Sequence, residues 1–354
     1  MPIPQLGIIE GFYGKPWTWD EREQNVSYLG KRGYGFYIYA PKADPYLRRR
    51  WQEEYPSHLA ERLAHLAAHC KSAGVRFGVG ITPFETYDLD EAARTAFGRK
   101  LNFFAKIGVN DLAVLFDDMR GDVPNLARRQ VAIVEWVRGN SDAERMIVCP
   151  SYYSDDPILD RVFGARPTNY VEELGAQLAP DVEIFWTGEE VISRQYSPGH
   201  LERVGKQLQR KPMLWDNYPV NDGHRMSQYL HLRGFTGRPS SIAEHIAAHA
   251  INPTVQPTLA RVPALTLVES YREGDEYSYG DAFRRAAIEV MGEELGTLVR
   301  EDLLTLQDIG LDRLGEKEKL LRERYAGVDH PAAREIIAWL DGAYRITDEI
   351  VQTQ

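Results

Sequence analysis

The chain of 354 residues lacks several features that mark common classes of protein. It has only two cysteines: Cys70 lies on an apparent helix and Cys149 in an apparent buried strand, which favours two reduced thiols over a disulfide framework. No apolar run reaches the length of about 18 residues that a membrane-spanning helix needs. The first residues, MPIP, show no signal-peptide pattern. We therefore expect a cytoplasmic protein that does not insert into a membrane.

An extended basic run is absent as well. The formal net charge is −10 at pH 7, which argues against nucleic acid as a partner. Hydrophobic residues make up 43% of the chain, which is enough to bury a large core. The composition thus allows one large domain with a small annex.

Eight short apolar segments with strand-like residues recur along the chain, and most of them end in polar or aromatic residues. The predicted strands cover residues 6–9, 34–40, 75–81, 112–116, 146–149, 182–186, 213–215 and 247–251. The last of these has the weakest signal. Polar residues at the carboxyl ends of parallel strands are typical of a binding or catalytic site.

Helical signals separate the predicted strands. Apolar residues recur at helical spacing over 59–67, after Ser57, which we expect to cap that helix. A second helix is predicted to open at Asp90 and to end before Gly108, and a third has its apolar face within 126–137. Strand and helix therefore alternate along the chain.

About eight such repeats are typical of an α/β protein with a (β/α)8 TIM barrel. A doubly wound open sheet is the alternative, but no Gly-x-Gly-x-x-Gly turn follows the first strand. Strand-like residues end with 265–268, and helices are predicted over 282–291, 294–306 and 332–351. We assign residues 1–261 to the barrel and 262–354 to a small C-terminal helical region packed on it.

The most informative stretch is LAVLFDD, in which an apolar strand delivers Asp117 and Asp118 at its carboxyl end. Two adjacent acids in one cleft are costly unless their surroundings separate their protonation states. The alternative is an Asp-rich turn in which Asp118 caps the next helix. The pair is the first candidate for chemistry in this chain.

Aromatic residues make up 11% of the chain, with 19 tyrosines and 7 tryptophans. Sugar rings stack their apolar C–H faces on aromatic rings, while their hydroxyls need directional polar partners. Tyr13, Tyr153 and Trp215 lie at or just past predicted strand ends, beside Asp, Asn and Lys residues. A single aromatic residue is more often part of a core, but this clustering favours carbohydrate recognition.

Short motifs occur in a fixed order over roughly residues 6–255. They are GIIEGFYGKPW (7–17), YIYAPK (37–42), LFDD (115–118), CP (149–150), WTG (186–188), WDN (215–217), ND (221–222) and NP (252–253). With this set the chain resembles glycoside hydrolase family 84, the O-GlcNAcases and related β-N-acetylglucosaminidases, in its bacterial type. A lone Asp-Asp pair is a weak signal, whereas the ordered set is specific.

The resemblance implies a role for each matching residue. It implies that Asp117 holds and polarises the acetamido N–H of the substrate, and that Asp118 is the general acid and then the general base. The residues implied to bind the hydroxyls and the N-acetyl group of a terminal GlcNAc are Gly11, Lys42, Asn217, Asp222 and Asn252. Tyr153 matches a tyrosine near the acetamido oxygen, and Trp215 one that walls the N-acetyl pocket. No metal and no cofactor is implied.

The adjacency of the two acids has a chemical consequence. Most retaining glycosidases place a carboxylate nucleophile about 5–5.5 Å from the acid, across the sugar ring. Adjacent residues do not easily straddle a sugar, but they can serve one face of it. The nucleophile is then the substrate's own acetamide oxygen, which gains from a high effective molarity. We therefore expect a retaining exo-β-N-acetylglucosaminidase that forms an oxazoline intermediate.

The sequence departs from the family pattern at several positions. Ala43 stands where a second acid often follows the lysine, and Leu47 where histidine is common. Tyr152 replaces an acid before the matched tyrosine, and Glu189 follows WTG where proline is usual. None of these positions carries an implied chemical role. They leave the natural aglycone open among protein O-GlcNAc, glycan termini and cell-wall fragments.

Two other functions fit parts of the sequence. The run DDMRGD over 117–122 superficially resembles the Mg²⁺ motif of prenyl-transforming enzymes, but those motifs lie on helices and here a strand precedes the acids. A GlcNAc-binding protein that has lost catalysis is the second alternative, since fold does not imply function. The expected partner is a terminal β-GlcNAc glycoconjugate, either a glycan or an O-GlcNAc peptide. A homodimer formed through the helical region is left open.

Overall fold

The computed structural model describes residues 3–346 and shows a closed barrel of eight parallel strands. The strands follow one another in chain order, and the eighth pairs with the first to close the barrel. They are β1 (Gln5–Glu10), β2 (Tyr34–Tyr39), β3 (Arg76–Ile81), β4 (Asp111–Leu115), β5 (Arg145–Cys149), β6 (Glu183–Trp186), β7 (Met213–Asp216) and β8 (Ala248–Ile251). The predicted (β/α)8 barrel is confirmed.

Helices connect the strands and cover the outside of the barrel. They are α1 (Trp19–Gly30), α2 (Ser57–Ser72), α3 (Glu91–Ile107), α4 (Leu126–Gly139), α5 (Pro157–Phe163), α6 (Tyr170–Gln177), α7 (Pro198–Leu208) and α8 (Arg261–Glu273). The β5–β6 connection contains two short helices, and the β7–β8 connection contains only short 3-10 helices (Met226–Gln228 and Ser240–His245). Across residues 3–346, no helix combines the length and the apolar character needed to cross a membrane.

The ends of these helices follow from local chemistry. Asp90 accepts a hydrogen bond from the N–H of Ala93 at 2.7 Å and so caps α3. Gly108 ends α3 in the left-handed conformation, with φ of 79°. The prediction that Ser57 caps α2 is wrong, because Ser57 is already the first helical residue and no side chain caps this end.

The strands are buried on both faces, because side chains inside the barrel and helices outside cover them. One exception to their apolar character is Asp111, which is fully buried at the start of β4. Arg76 donates its Nε–H to Asp111 at 3.0 Å, and Arg145 forms an ion pair with the same carboxylate. The two arginines therefore neutralise the negative charge of Asp111 at the amino end of the barrel. Cys70 and Cys149 are buried and not joined in a disulfide.

Residues after β8 are helical. α8 packs against α1 and against α9 (Tyr279–Leu304), which bends at Gly292, where φ is 80°. The last helices are α10 (Glu316–Tyr325) and α11 (Pro331–Leu340). The strand-like residues 265–268 lie inside α8, and the helix predicted over 332–351 ends at Leu340 within the described chain; residues 347–351 lie outside it. The division of the chain after residue 261 stays a prediction.

Candidate active site

One cavity at the carboxyl ends of the strands is lined by all nine predicted site residues. Its empty volume, including the open mouth, is about 850 Å³. The nine residues are Gly11, Lys42, Asp117, Asp118, Tyr153, Trp215, Asn217, Asp222 and Asn252. They come from β7 and from the segments that follow β1, β2, β4, β5, β7 and β8. Their individual roles stay predictions.

Asp117 and Asp118 both line the cavity, although neighbouring side chains in a strand point to opposite faces. The N–H of Phe116 still donates to the carbonyl oxygen of Cys149 at 2.8 Å, so the sheet extends to the residue before the pair. Asp118 then adopts φ of 60°, a left-handed conformation that aspartate tolerates better than most residues. This turn brings the second carboxyl group back to the cavity. Asp118 does not cap a helix, because α4 begins only at Leu126.

Lys42 is the cation beside the two acids. Its Nζ forms an ion pair with Asp117 Oδ2 and lies 3.6 Å from Asp118 Oδ2. Burial opposes the charge on Lys42, but the two aspartates outweigh it and raise the pKa of Lys42. The protonated amine therefore holds the two acids beside each other.

Asp117 has one oxygen still available to a ligand. Its side chain is 8% exposed, and Oδ2 is bound to Lys42. Within residues 3–346, the buried Oδ1 atom has no hydrogen-bond partner. A buried acceptor without a partner costs free energy, so this oxygen is poised to accept a hydrogen bond from a bound N–H or O–H group.

Asp118 is held in a state suited to proton transfer. Burial raises the pKa of Asp118; Lys42 acts against this, Asp117 adds to it by repulsion, and the net change is upward. Tyr13 donates its hydroxyl to Asp118 Oδ2 at 2.6 Å. Burial also raises the pKa of Tyr13, so the phenol remains a donor. An acid with a raised pKa beside a cavity is a candidate general acid.

Asp222 provides a third carboxyl group in the cavity wall. Its Oδ2 accepts a hydrogen bond from the backbone N–H of Tyr13 at 2.8 Å. Burial raises the pKa of Asp222 to about 6, and the negative charge of Asp118 contributes to the rise. Asp222 is therefore mostly ionised at neutral pH, and it then acts only as an acceptor.

A chain of hydrogen bonds fixes the two asparagines. The Nε1–H of Trp215 donates to Asn217 Oδ1 at 3.0 Å, and Asn252 Nδ2 donates to the same oxygen at 3.1 Å. Asn252 Oδ1 accepts from the N–H of Gly11 at 3.2 Å. Asn217 Nδ2 donates to the carbonyl oxygen of Val191 at 2.9 Å. These bonds link four loops and set the orientation of the amides before any ligand binds.

Gly11 lets the ring of Trp215 approach the backbone after β1. A Cβ atom at position 11 would lie 2.5 Å from Trp215 Cζ2, which is closer than real side-chain contacts. The indole also packs edge-on against Phe185, with ring centroids 5.1 Å apart. Gly11 and the Trp215 ring thus form an apolar part of the wall, and Phe185 supports the ring from behind.

Tyr153 and Cys149 form another buried part of the wall. Burial raises the pKa of both groups well above their usual values, and the nearby aspartates add to the effect. Both side chains therefore stay neutral at physiological pH. The Tyr153 hydroxyl can then donate a hydrogen bond to a ligand.

A second layer of charges supports the end of β7. Asp216 is fully buried and accepts two hydrogen bonds from Arg238, at 2.9 and 2.7 Å. His249 Nε2 lies 3.1 Å from the same carboxylate. Burial opposes the charge, but Arg238 and His249 outweigh it and lower the pKa of Asp216 to about 2. This network anchors the strand that presents Trp215 and Asn217.

Other residues line the cavity without having been assigned a site role from the sequence. The sequence identifies Tyr13 only as an aromatic residue at a strand end. Its position two residues after Gly11 was the signal that could have identified it as a site residue. The others are Cys149, Thr187, Val191, Ile192, Val220, Gly223, His224 and Arg225. Most of them lie in irregular loops, where periodicity carries no information about direction.

The acid-rich run after β4 does not form a cluster around the cavity. Asp122 accepts a hydrogen bond from Arg120 at 2.9 Å, and Arg120 is exposed. In the part of the chain that the structure describes, no three His, Cys, Asp or Glu side chains are grouped to hold a metal ion. The cation beside Asp117 and Asp118 is Lys42.

Comparisons with known proteins agree with this geometry. Proteins named Protein O-GlcNAcase from mouse and rat are each 28% identical over 276 residues, which is 75% of this chain and 30% of theirs. The chain thus spans less than a third of the length of these relatives. A solved mutant of the O-GlcNAc hydrolase from Thermobaculum terrenum is 28% identical, with a TM-score of 0.78 over 95% of this chain and 80% of that one.

The family model of β-N-acetylglucosaminidases matches residues 6–307, which include all of the barrel strands except Gln5 and every residue of the candidate site. The match covers well over half of the chain. This chain therefore belongs to the β-N-acetylglucosaminidase family, glycoside hydrolase family 84.

Proposed function

We propose that this protein is a retaining exo-β-N-acetylglucosaminidase that releases terminal β-linked GlcNAc from glycoconjugates by substrate-assisted catalysis. The observation that carries the proposal is the different environment of two adjacent acids in one cavity. Asp117 presents a buried acceptor that has no partner among residues 3–346, whereas Asp118 has a raised pKa and a phenol donor. The family and the names of the relatives support GlcNAc as the sugar.

Asp117 is proposed to orient the 2-acetamido group. Its Oδ1 accepts the acetamido N–H, while Lys42 holds Oδ2 in place. As the acetamide oxygen attacks C1, positive charge develops on the acetamide nitrogen. A carboxylate fixed beside that nitrogen stabilises the charge without reorganisation.

Asp118 is proposed to move the proton in both steps. First it protonates the glycosidic oxygen as the bond from C1 to this oxygen breaks and the acetamide oxygen bonds to C1. The product of this step is a protonated oxazoline, whose N–H proton stays hydrogen-bonded to Asp117. Then Asp118 takes a proton from water as the water oxygen bonds to C1 and the oxazoline opens. Two inversions at C1 give net retention.

The remaining residues are proposed to hold the sugar. Asp222, Asn217, Asn252 and Lys42 present charged and amide groups of the kind that pair with hydroxyls. Within the described chain, loops after seven of the strands line the cavity, and such a pocket suits the end of a glycan better than its interior. Trp215 and Tyr153 are the aromatic walls for the N-acetyl group.

The decisive test is a series of aryl β-glucosaminides that carry acetyl, fluoroacetyl, difluoroacetyl and trifluoroacetyl groups on nitrogen. Fluorine withdraws electrons from the acetamide oxygen with little change of shape, so kcat/KM should fall steadily along the series. Unchanged rates along the series, together with a trapped glycosyl-enzyme ester, would mean that a protein carboxylate is the nucleophile.

A substrate panel then tests the activity itself and the aglycone. It compares aryl GlcNAc, aryl GalNAc, an O-GlcNAc peptide and chito-oligosaccharides. We expect cleavage of terminal β-GlcNAc with little action inside polymers. Binding of GlcNAc without turnover of any member would identify a sugar-binding protein that has lost catalysis.

A further inference from the structure

The C-terminal part of the described chain contacts loops that carry site residues. α11 and the stretch that follows it lie beyond residue 307, where the family match ends. They meet the loops after β1, β7 and β8, at the same end of the barrel as the cavity. These contacts lie outside the cavity itself.

Glu335 of α11 holds the loop after β8. The side chain is buried, and its two oxygens accept the backbone N–H groups of Thr258 at 2.8 Å and Leu259 at 2.9 Å. This loop begins with Asn252, which bonds to Gly11 and Asn217 in the cavity wall. Two hydrogen bonds from adjacent backbone donors to one carboxyl group fix both the position and the direction of the loop.

Ile346 lies between the loops after β1 and β7. A Cβ atom built on Gly14 would lie 2.8 Å from Ile346 Cδ1, so this side chain is packed directly on the Gly14 backbone. The N–H of Ile346 also donates to Ser227 Oγ at 3.4 Å. Nearby, Lys15 Nζ lies 5.2 Å from the centre of the Tyr344 ring, a cation–π contact.

The same three loops are joined to each other on the cavity side. The N–H of Tyr13 donates to Asp222 at 2.8 Å, and the N–H of Val255 donates to Asn221 Oδ1 at 3.1 Å. Each loop is thus tied to a neighbour at the cavity and to the C-terminal segment outside it. The outer contacts limit how far the inner ones can shift.

We propose that Glu335 and Ile346 are positioning residues that hold Tyr13, Asp222 and Asn252 in the geometry needed for catalysis. The inference rests on the proposed function of the cavity. Neither residue lines the cavity, so both act through the loops. Since a misplacement of about 1 Å costs up to about 100-fold in rate, we expect Ile346→Ala to lower kcat/KM about tenfold on aryl GlcNAc, mainly through KM.

The test compares four variants with the unsubstituted protein. Ile346→Leu keeps the apolar volume and should retain most of the activity. Glu335→Gln keeps the shape but offers one acceptor oxygen to two backbone N–H groups, and should also lower kcat/KM. This variant tests the proposal even where Ile346→Ala does not fold. The matched control is Leu321→Ala, which removes buried volume from α10, a helix that packs on α11. It should lower the melting temperature and leave kcat/KM unchanged.

Hydrogen exchange in the loops supplies a readout independent of turnover. Ile346→Ala should speed exchange in segments 11–17 and 220–228, and Leu321→Ala should not. Equal effects of Ile346→Ala and Leu321→Ala on kcat/KM, or unchanged exchange in both segments, would overturn the positioning role. Loop exchange that responds as expected in a protein with no turnover of aryl GlcNAc would instead refute the proposed function alone.

Discussion

Substitution of Asp222 by Asn separates the charge of this side chain from its shape. Asparagine keeps an oxygen that accepts the N–H of Tyr13, the bond that measures 2.8 Å in the structure. It removes the negative charge that is proposed to accept hydrogen bonds from sugar hydroxyls. Any loss of activity in Asp222→Asn therefore measures the charge and not the collapse of the loop.

The magnitude follows from the energy of one such bond. A hydrogen bond to a charged group contributes about 1.5–3 kcal/mol, and about 1.4 kcal/mol corresponds to a factor of ten in rate. We expect kcat/KM of Asp222→Asn on aryl GlcNAc to fall about ten- to a hundredfold at pH 7.5. The control Asp142→Asn removes an exposed negative charge and should leave kcat/KM unchanged.

The pH dependence gives a second measurement of the same group. Burial raises the pKa of Asp222 to about 6, so protonation should reduce kcat/KM of the unsubstituted protein as the pH falls through that value. The variant has no such group, and the ratio of the two kcat/KM values should shrink toward acid pH. A ratio that stays constant from pH 5 to 8 would show that the charge of Asp222 does not act on the substrate.

As the pH rises, the stability of the fold should fall while kcat/KM rises. The pKa of Asp222 is above its usual 3.8 in the fold, so the fold loses stability as the pH rises from 3.8 through about 6. The difference between these two pKa values corresponds to at most about 3 kcal/mol. Asp222→Asn should therefore melt at a higher temperature than the unsubstituted protein at pH 8, and this gain should vanish near pH 4. A lower melting temperature at pH 8 with normal kinetics would mean that Asp222 only stabilises its loop.

Three further changes test separate parts of the structure. Asp118→Ala should lose about 10²–10⁴ in rate on substrates with poor leaving groups but far less on strongly activated aryl glycosides, and equal losses on both would refute its role as the acid. Gly11→Ala forces a Cβ to within 2.5 Å of the Trp215 ring, so it should cost about 1–3 kcal/mol in unfolding free energy and weaken GlcNAc binding measured by calorimetry; unchanged affinity would argue against the ring as a wall of the site. Burial raises the pKa of Glu335 to about 7 from its usual 4.5, so stability should be lost as the pH rises between these values. Between pH 5 and pH 8, the melting temperature of Glu335→Gln should fall less than that of the unsubstituted protein. Equal falls would show that a group other than Glu335 causes the loss of stability.

Much of the barrel could be predicted because parallel strands buried on both faces give continuous apolar runs. The predictions differ from the structure at the ends of the strands. The strand before the acids was expected over 112–116 and is found at Asp111–Leu115, because Asp111 is polar but buried with two arginines. The helix Glu316–Tyr325 was not predicted, since only Leu321 and Tyr325 among its mostly charged residues are buried.

One stretch with strand-like residues proved to be helical. Residues 265–268 have the β-branched and apolar character of a strand, yet they lie in α8, buried between the barrel and α9. Residues 262–268 of α8 are all buried, so this stretch has no polar face to reveal its period, and packing overrides local propensity. The site residues are different, because ordered motifs identified them but did not show which residues of different motifs are partners.

The partners of the two adjacent acids explain why these acids can have different roles. Asp117 and Asp118 share one strand end, and nothing in the dipeptide distinguishes them. The difference arises from contacts that span long stretches of chain: Lys42 binds Asp117, and Tyr13 donates to Asp118. The left-handed turn at Asp118 places the second carboxyl group where burial raises its pKa while leaving Lys42 within 3.6 Å. A strand end without the loops after β1 and β2 would hold two equivalent acids, so the division of roles belongs to the assembled barrel and not to the motif.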